Sequence, residues 1–457
     1  MLRLRRSGLA AFAVVAAGQT LTMLGARLTS FAMGVWVYKE TGSVTQFALV
    51  SFFALVPGIL FGAVGGALID RWDRRWAVIL SDTGAALGAL ALAILFWTGK
   101  AGFWPISAVV AVTSVCAAFQ FPALTALTTE MVPKHDLGRA NGFLELGGAV
   151  STLAAPLLAG VLMEKISVQA IILLDFLTLF PAVLTVLLVP APLAGNRPGL
   201  PAAEAPSGGG ALLREAAAGW RYIRQRPGLT GMLVLFFVVN FAFGAIQTLI
   251  TPLVLSFASS AVLGTVLSTA GLGMLLGGGA VTVWGNPRRR IAAILVMMVI
   301  QGSMLLLSGL RPNAVLIAAA AFIFIAAQPV TNTCSQAIWQ SKIPLAIQGR
   351  VFSIRRMVAM SAIPLALLVS GPLSDRVLGP LLAPGGALAG TVGRVIGTGP
   401  GRGIALLFMI LGCLMLAAAA VGARYEPLRR VEDDLPDAIP DTLPDDLGAG
   451  LAGAAAE

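Results

Sequence analysis

The sequence predicts an all-α polytopic membrane protein whose twelve transmembrane helices form two six-helix pseudo-repeats. Three observations predict it. The chain is 57% hydrophobic and only 11% charged, whereas a soluble domain carries roughly 25% charged residues, so most of it must sit in lipid. Twelve apolar runs reach the roughly 20 residues that a bilayer core demands of a helix: 9–38, 45–69, 76–97, 104–131, 140–163, 168–189, 229–255, 261–284, 291–309, 313–340, 351–378 and 403–423. Finally, the halves repeat. Pro133, Gly138 and Arg139 link runs 4 and 5, and Pro344, Gly349 and Arg350 link runs 10 and 11, an offset of 211 residues.

Taken in order, the first run follows Arg3, Arg5 and Arg6 and could open a signal peptide. It continues without a break to Tyr38, too long for a cleaved segment, so it counts as helix 1. Runs 1 to 6 make an N-terminal six-helix bundle over 1–189. Residues 190–228 then break the pattern. Five prolines and Ser207-Gly208-Gly209-Gly210 read as a flexible linker. Ala211 to Arg226 sets Leu212, Leu213, Ala216, Trp220 and Ile223 opposite Arg214, Arg221 and Arg224, the pattern of an amphipathic helix on the cytoplasmic membrane face. A second bundle covers 229–423. The tail, 424–457, holds nine of the 21 acidic residues, with Pro436, Pro440 and Pro444, and is expected to be disordered.

Lysine and arginine set the orientation. With the N-terminus in the cytoplasm, 23 of the 31 basic residues fall in inside segments and seven outside, Arg27 being the remaining one. Both termini are therefore expected in the cytoplasm. The net charge of +10 follows from these short loops. It signals topology rather than a nucleic-acid partner. The partners expected instead are a lipid bilayer, a small-molecule substrate and protons, with the chain acting as a monomer.

Between runs 2 and 3 the chain reads Gly66-Ala67-Leu68-Ile69-Asp70-Arg71-Trp72-Asp73-Arg74-Arg75. Read simply, this is a basic inside loop. The spacing G-x-x-x-D-R-x-x-R-R also resembles the signature loop between helices 2 and 3 of the major facilitator superfamily, with Asp73 in place of the usual second glycine. Two parallel repeats of six spans agree with that architecture. The resemblance implies a gating latch: Asp70 meets the start of helix 11 around Arg355 and Arg356, while Glu130 pairs with Arg71 or Arg74. Such contacts exist only when the cytoplasmic side is closed.

No phosphate-binding loop is present, since the single Gly-Lys, Gly99-Lys100, is followed by Ala101. Uphill transport must then draw on an ion gradient, most simply protons. Cys116, Cys334 and Cys413 stand alone in apolar runs and His135 is the only histidine. No metal site, no cofactor and no enzymatic nucleophile–base set is expected.

Ionisable groups within spans are functional candidates. Arg27 and Glu145 lie on helices of the cavity-lining class and could touch substrate or a coupling proton; interhelical pairing is the alternative. Asp82 and Asp175 lie on helices 3 and 6, which are peripheral in the family, and are read as packing groups. In the second half Asn240 and Gln247 share a face of helix 7, beside Phe236, Phe237, Phe241 and Phe243. Gln328, Asn332 and Gln336 form a stripe on helix 10, the lining of a polar cavity or interhelical glue, with cavity favoured.

Further stretches narrow the resemblance: Trp36-Val37-Tyr38-x-x-Thr41-Gly42-Ser43, Gly371-Pro372-Leu373-x-Asp375-Arg376 and Gly397-Thr398-Gly399-Pro400-Gly401-Arg402-Gly403. They look like the bacterial exporter branch that contains the enterobactin exporter and macrolide efflux proteins. The resemblance implies an alternating-access secondary transporter of the bacterial inner membrane, exporting an amphipathic small molecule such as a siderophore or peptide natural product. A drug or macrolide pump is the alternative within transport. A non-transporting membrane receptor and a polytopic membrane enzyme are the alternatives outside it.

Overall fold

In hydrocarbon no water is present to satisfy backbone N–H and C=O groups, so a spanning run must close its hydrogen bonds within itself. The computed structural model, which describes residues 8–69, 74–188, 217, 219–285 and 287–436, is accordingly helical, with no strand among the described residues. The spans are α1 (Gly8–Thr41), α2 (Val44–Ile69), α3 (Arg74–Trp97), α4 (Phe103–Met131), α5 (Leu137–Lys165) and α6 (Val168–Leu187) in the first half. The second half holds α7 (Pro227–Leu255), α8 (Ser260–Trp284), α9 (Arg290–Leu310), α10 (Ala314–Lys342), α11 (Leu345–Pro372) and α12 (Arg402–Arg424). All twelve are long and apolar enough to cross a membrane. Each run expected from the sequence has its helix.

Consecutive helices alternate in direction. The face at which α1 begins is called proximal here, and the opposite face distal. Trp76 and Trp284 are exposed near the proximal ends of α3 and α8, and Trp97 and Trp104 near the distal ends of α3 and α4. Two tryptophan levels bracketing an apolar band are the mark of a bilayer-spanning bundle. Where helices pack closely, glycine takes the contact: a Cβ on Gly273 or Gly277 of α8 would stand 2.3 or 2.2 Å from the Phe322 or Ala326 carbonyl oxygen of α10.

The two halves differ in their cores. In the second, one buried cluster runs through the bundle and includes Trp339, Phe408 and Met298. In the first, the core is split. Phe12, Val78 and Leu127 belong to a proximal cluster, while Met33, Phe47 and Leu92 belong to a distal one. The space between them holds a cavity.

Two sequence expectations change at the proximal face. The tail was expected to be disordered from 424, but residues up to 436 are folded. The short helices α13 (Glu426–Arg429) and α14 (Val431–Asp434) bury Leu428 and Val431. The Glu432 carboxylate accepts hydrogen bonds from the Arg290 and Ile291 backbone N–H groups, capping α9. Lys342 at the end of α10 donates to the Glu432 and Leu435 carbonyls. An acidic side chain can thus order a segment by satisfying free N–H groups at a helix start, which composition alone does not reveal. Residues 437–457 lie outside the described residues. Of the linker, 219–224 is helical, but it packs on α11 rather than merely lying on a membrane surface: Ile223 is buried and Gly219 abuts the Arg350 carbonyl and Ile354.

Candidate functional site

The halves meet along two seams, α2 with α11 and α5 with α8. At the distal end of the first seam, α11 continues as a π-helical stretch, Leu373–Leu378, which carries Asp375. Its carboxylate accepts from the Ser43 hydroxyl at 2.8 Å, the Thr45 N–H at 2.8 Å and the Val44 N–H at 3.2 Å. Those groups form the N-terminus of α2, whose free donors and partial positive charge suit an anion. Gly371 permits the approach: a Cβ there would stand 2.7 Å from the Thr45 Cα.

The second seam is zipped by small residues. A Cβ on Gly160 of α5 would lie 2.5 Å from the Ser260 carbonyl oxygen, and one on Gly264 of α8 would lie 2.3 Å from that of Pro156. Lys39 donates to the Ser260 hydroxyl at 3.0 Å, Glu164 accepts from the Ala261 N–H at 3.3 Å, and Ser268 donates to the Leu153 carbonyl at 2.6 Å. Followed one and two turns further toward the proximal face, the same stripes part. Val150 and Leu146 on α5 and Leu275 on α8 are exposed, and Gly142, Gly278 and Gly279 have nothing within 4 Å of a built Cβ. Among the described residues, the halves meet distally and part proximally.

The cavity inside the first half has a volume of about 380 Å³ and is lined by α1, α2, α3, α4 and α6. Ala26, Ser30, Ala54 and Ala117 are lining residues that are also exposed, and they mark its mouth. At its proximal end Asp82 of α3 is 1% exposed. Gln19 of α1 donates to one carboxylate oxygen at 2.7 Å, and Gln120 of α4 donates to the other at 2.6 Å. Hydrogen bonds to a charged group contribute about 1.5–3 kcal/mol each, which offsets much of the desolvation of Asp82. Asp175 of α6 lies further toward the distal face. Its Oδ1 is 2.6 Å from where a Cβ on Gly25 of α1 would sit, so that glycine makes room for the carboxylate. Thr29 lies beside Asp175, but its buried hydroxyl is not aligned for a hydrogen bond.

Twelve helices in two bundles, parted on one face and latched on the other, limit the candidate families. Residues 15–367 match the family model of the Major Facilitator Superfamily. The chain belongs to that superfamily. It is 27% identical over 376 residues to macrolide efflux protein A of Streptococcus pyogenes, covering 80% of this chain and 90% of that protein. It is 24% identical over 378 residues to the multidrug efflux pump Tap of Mycolicibacterium fortuitum, with 80% and 88% covered. A crystal structure of the nucleoside transporter NupG superposes with a TM-score of 0.65 over 91% of this chain and 99% of that one, at 13% identity, a likeness of fold. The protein is a multi-pass facilitator-superfamily transporter whose relatives include efflux pumps.

Within this superfamily frame the sequence-expected residues divide. Gly66 lies in α2, Arg74 opens α3 and Glu130 lies in the last turn of α4, whereas Asp70 and Arg71 lie outside the described residues. Arg75 donates to the Val186 and Leu187 carbonyls and caps the proximal end of α6. Arg355 is engaged within its own half: it donates to Gln336 at 2.5 Å and lies over the Phe236 and Trp339 rings. Arg356, Arg27 and Glu145 are exposed.

The polar stripe of α10 does not act as one surface. Gln328, expected in a cavity lining, is buried and accepts from Gln301 of α9 at 2.8 Å, so it is interhelical glue. One turn on, Asn332 is exposed, and Gln336 is committed to Arg355. A four-residue step drifts about 40° around a helix, enough to move such a stripe from packing to open surface. On α7 Asn240 donates to its own helix at the Phe236 carbonyl, and Gln247 is exposed. Asp82 and Asp175, read from sequence as packing groups, also line the cavity, and Asp82 at the same time ties α3 to α1 and α4. Asp375 was visible only as a motif position. The signal that could have flagged it is an acidic residue just past one helix facing the two-residue turn before another.

Proposed function

We propose that this protein is a secondary active exporter of the bacterial inner membrane, both termini in the cytoplasm, moving an amphipathic small molecule outward by alternating access with proton coupling. One observation carries the alternating-access reading: the described parts of the halves are zipped on the distal face and parted on the proximal face, as an inward-facing state requires if the proximal face is cytoplasmic; the outward direction is taken from the efflux-pump relatives. The excess of basic residues in proximal segments supports that orientation. Among amphipathic cargoes, a macrolide or another drug-like molecule ranks ahead of the siderophore- or peptide-type product expected from sequence, because efflux-pump relatives cover 80% of the chain.

Glu145, exposed on α5 where the seam has parted, is the proposed proton carrier. Reconstitution into proteoliposomes with an imposed proton gradient tests the reading. Uphill movement of a macrolide that collapses with a protonophore supports it. Movement that is equal with and without the gradient would remove the coupling.

A further inference from the structure

We propose that the cavity within the first half is a binding site for a small organic cation, a protonated amine on an apolar body, held between Asp82 and Asp175. The inference deepens the efflux reading, on which it rests for the ligand being cargo. The binding itself stands on the cavity.

Its volume of about 380 Å³ falls in the range of small-molecule pockets. Met33, Phe47 and Leu92 of the distal core provide apolar wall. Two carboxylates line it, and no lysine, arginine or histidine is among the lining residues. Charge in a low-dielectric interior without a counter-ion is unfavourable, so two acids here call for something positive. Thr29 lines the cavity beside Asp175 and is 8% exposed, so it sets a hydroxyl next to the carboxylate.

Three kinds of positive partner compete. A proton would neutralise a carboxylate but needs neither this volume nor an apolar wall. A metal ion needs several oxygens converging at about 2.3–2.6 Å. The partners of the two acids on α1, Gln19 and Gly25, are six residues apart, an axial separation of about 9 Å. Asp82 is moreover already held by two amides. An elongated organic cation fits that separation: its apolar body fills the space, and its ammonium reaches Asp175 and the Thr29 hydroxyl. Among the described residues the second half shows no equivalent pair of acids. Its corresponding helices meet through the neutral pair Gln301 and Gln328, and its core is continuous.

The test is equilibrium binding to the purified full chain in nanodiscs, read by isothermal titration calorimetry. The probes are protonated N,N-dimethylbenzylamine at pH 7 and its uncharged isostere, isobutylbenzene. The cation should bind at least tenfold more tightly than the isostere. Asp175→Asn should weaken the cation at least tenfold and leave isobutylbenzene unchanged. Ala85→Phe, which fills the cavity from α3, should remove both. Equal affinity for the two probes would overturn the proposal, as would full affinity in Asp175→Asn or displacement of the amine by millimolar sodium. Cation binding by a protein that fails to move any cargo would instead sink the efflux reading and leave the site standing.

Discussion

Replacing Asp375 by asparagine should loosen the distal seal. The carboxylate accepts three hydrogen bonds from the first residues of α2, two of them at 2.8 Å. Asparagine keeps one acceptor oxygen, turns an NH₂ group toward N–H donors, and loses the charge that the helix N-terminus favours. A side-chain cap contributes about 0.5–2 kcal/mol and a charge at a helix terminus about 0.3–1 kcal/mol. A combined loss of about 1.4–2 kcal/mol shifts the ratio of open to sealed distal faces by about tenfold to thirtyfold. Spin labels at Glu40→Cys and Val395→Cys, in a background without the three native cysteines, would report the distance across the distal face by pulsed electron resonance.

The same variant should leave helix content unchanged. The motif G-x-x-x-D-R occurs at Gly66–Arg71 and again at Gly371–Arg376, at opposite ends of two helices, α2 and α11, that pack side by side. Asp70→Asn is therefore expected to act with the opposite sign, favouring the proximally open form. An unchanged distal distance distribution in Asp375→Asn would refute this reasoning, as would shifts of the same sign in both variants.

Glu145→Gln should abolish uphill export while preserving substrate exchange at equal pH; uphill transport at the parent rate would place the coupling elsewhere. Ending the chain after Arg424 removes the Glu432 cap on α9 and the buried Leu428 and Val431. At about 1.5–3 kcal/mol per buried side chain, this should lower the melting temperature by several degrees, whereas ending it after residue 436 should not; equal melting points would show the clamp contributes nothing. In intact cells an impermeant thiol reagent should reach Gly386→Cys and not Ser207→Cys, and the reverse pattern would invert the orientation.

Run length and charge placement were enough to specify twelve helices in two sets of six. The reason is local: in lipid a backbone has no partner but itself, so every long apolar run becomes a helix whatever surrounds it. Which face of each helix meets which neighbour is not local. A span apolar all round carries only a weak amphipathic stripe, so sequence could not say that Asp82 and Asp175 line a cavity or that Gln328 turns away from open space to Gln301. Asp375 makes the point most sharply. Its partners lie 330 to 332 residues away in sequence, and only the docking of α11 against α2 turns a carboxylate near a helix end into the cap of another helix. Polar groups in an apolar bundle take their roles from the nearest unsatisfied partner, and tertiary packing alone decides which partner that is.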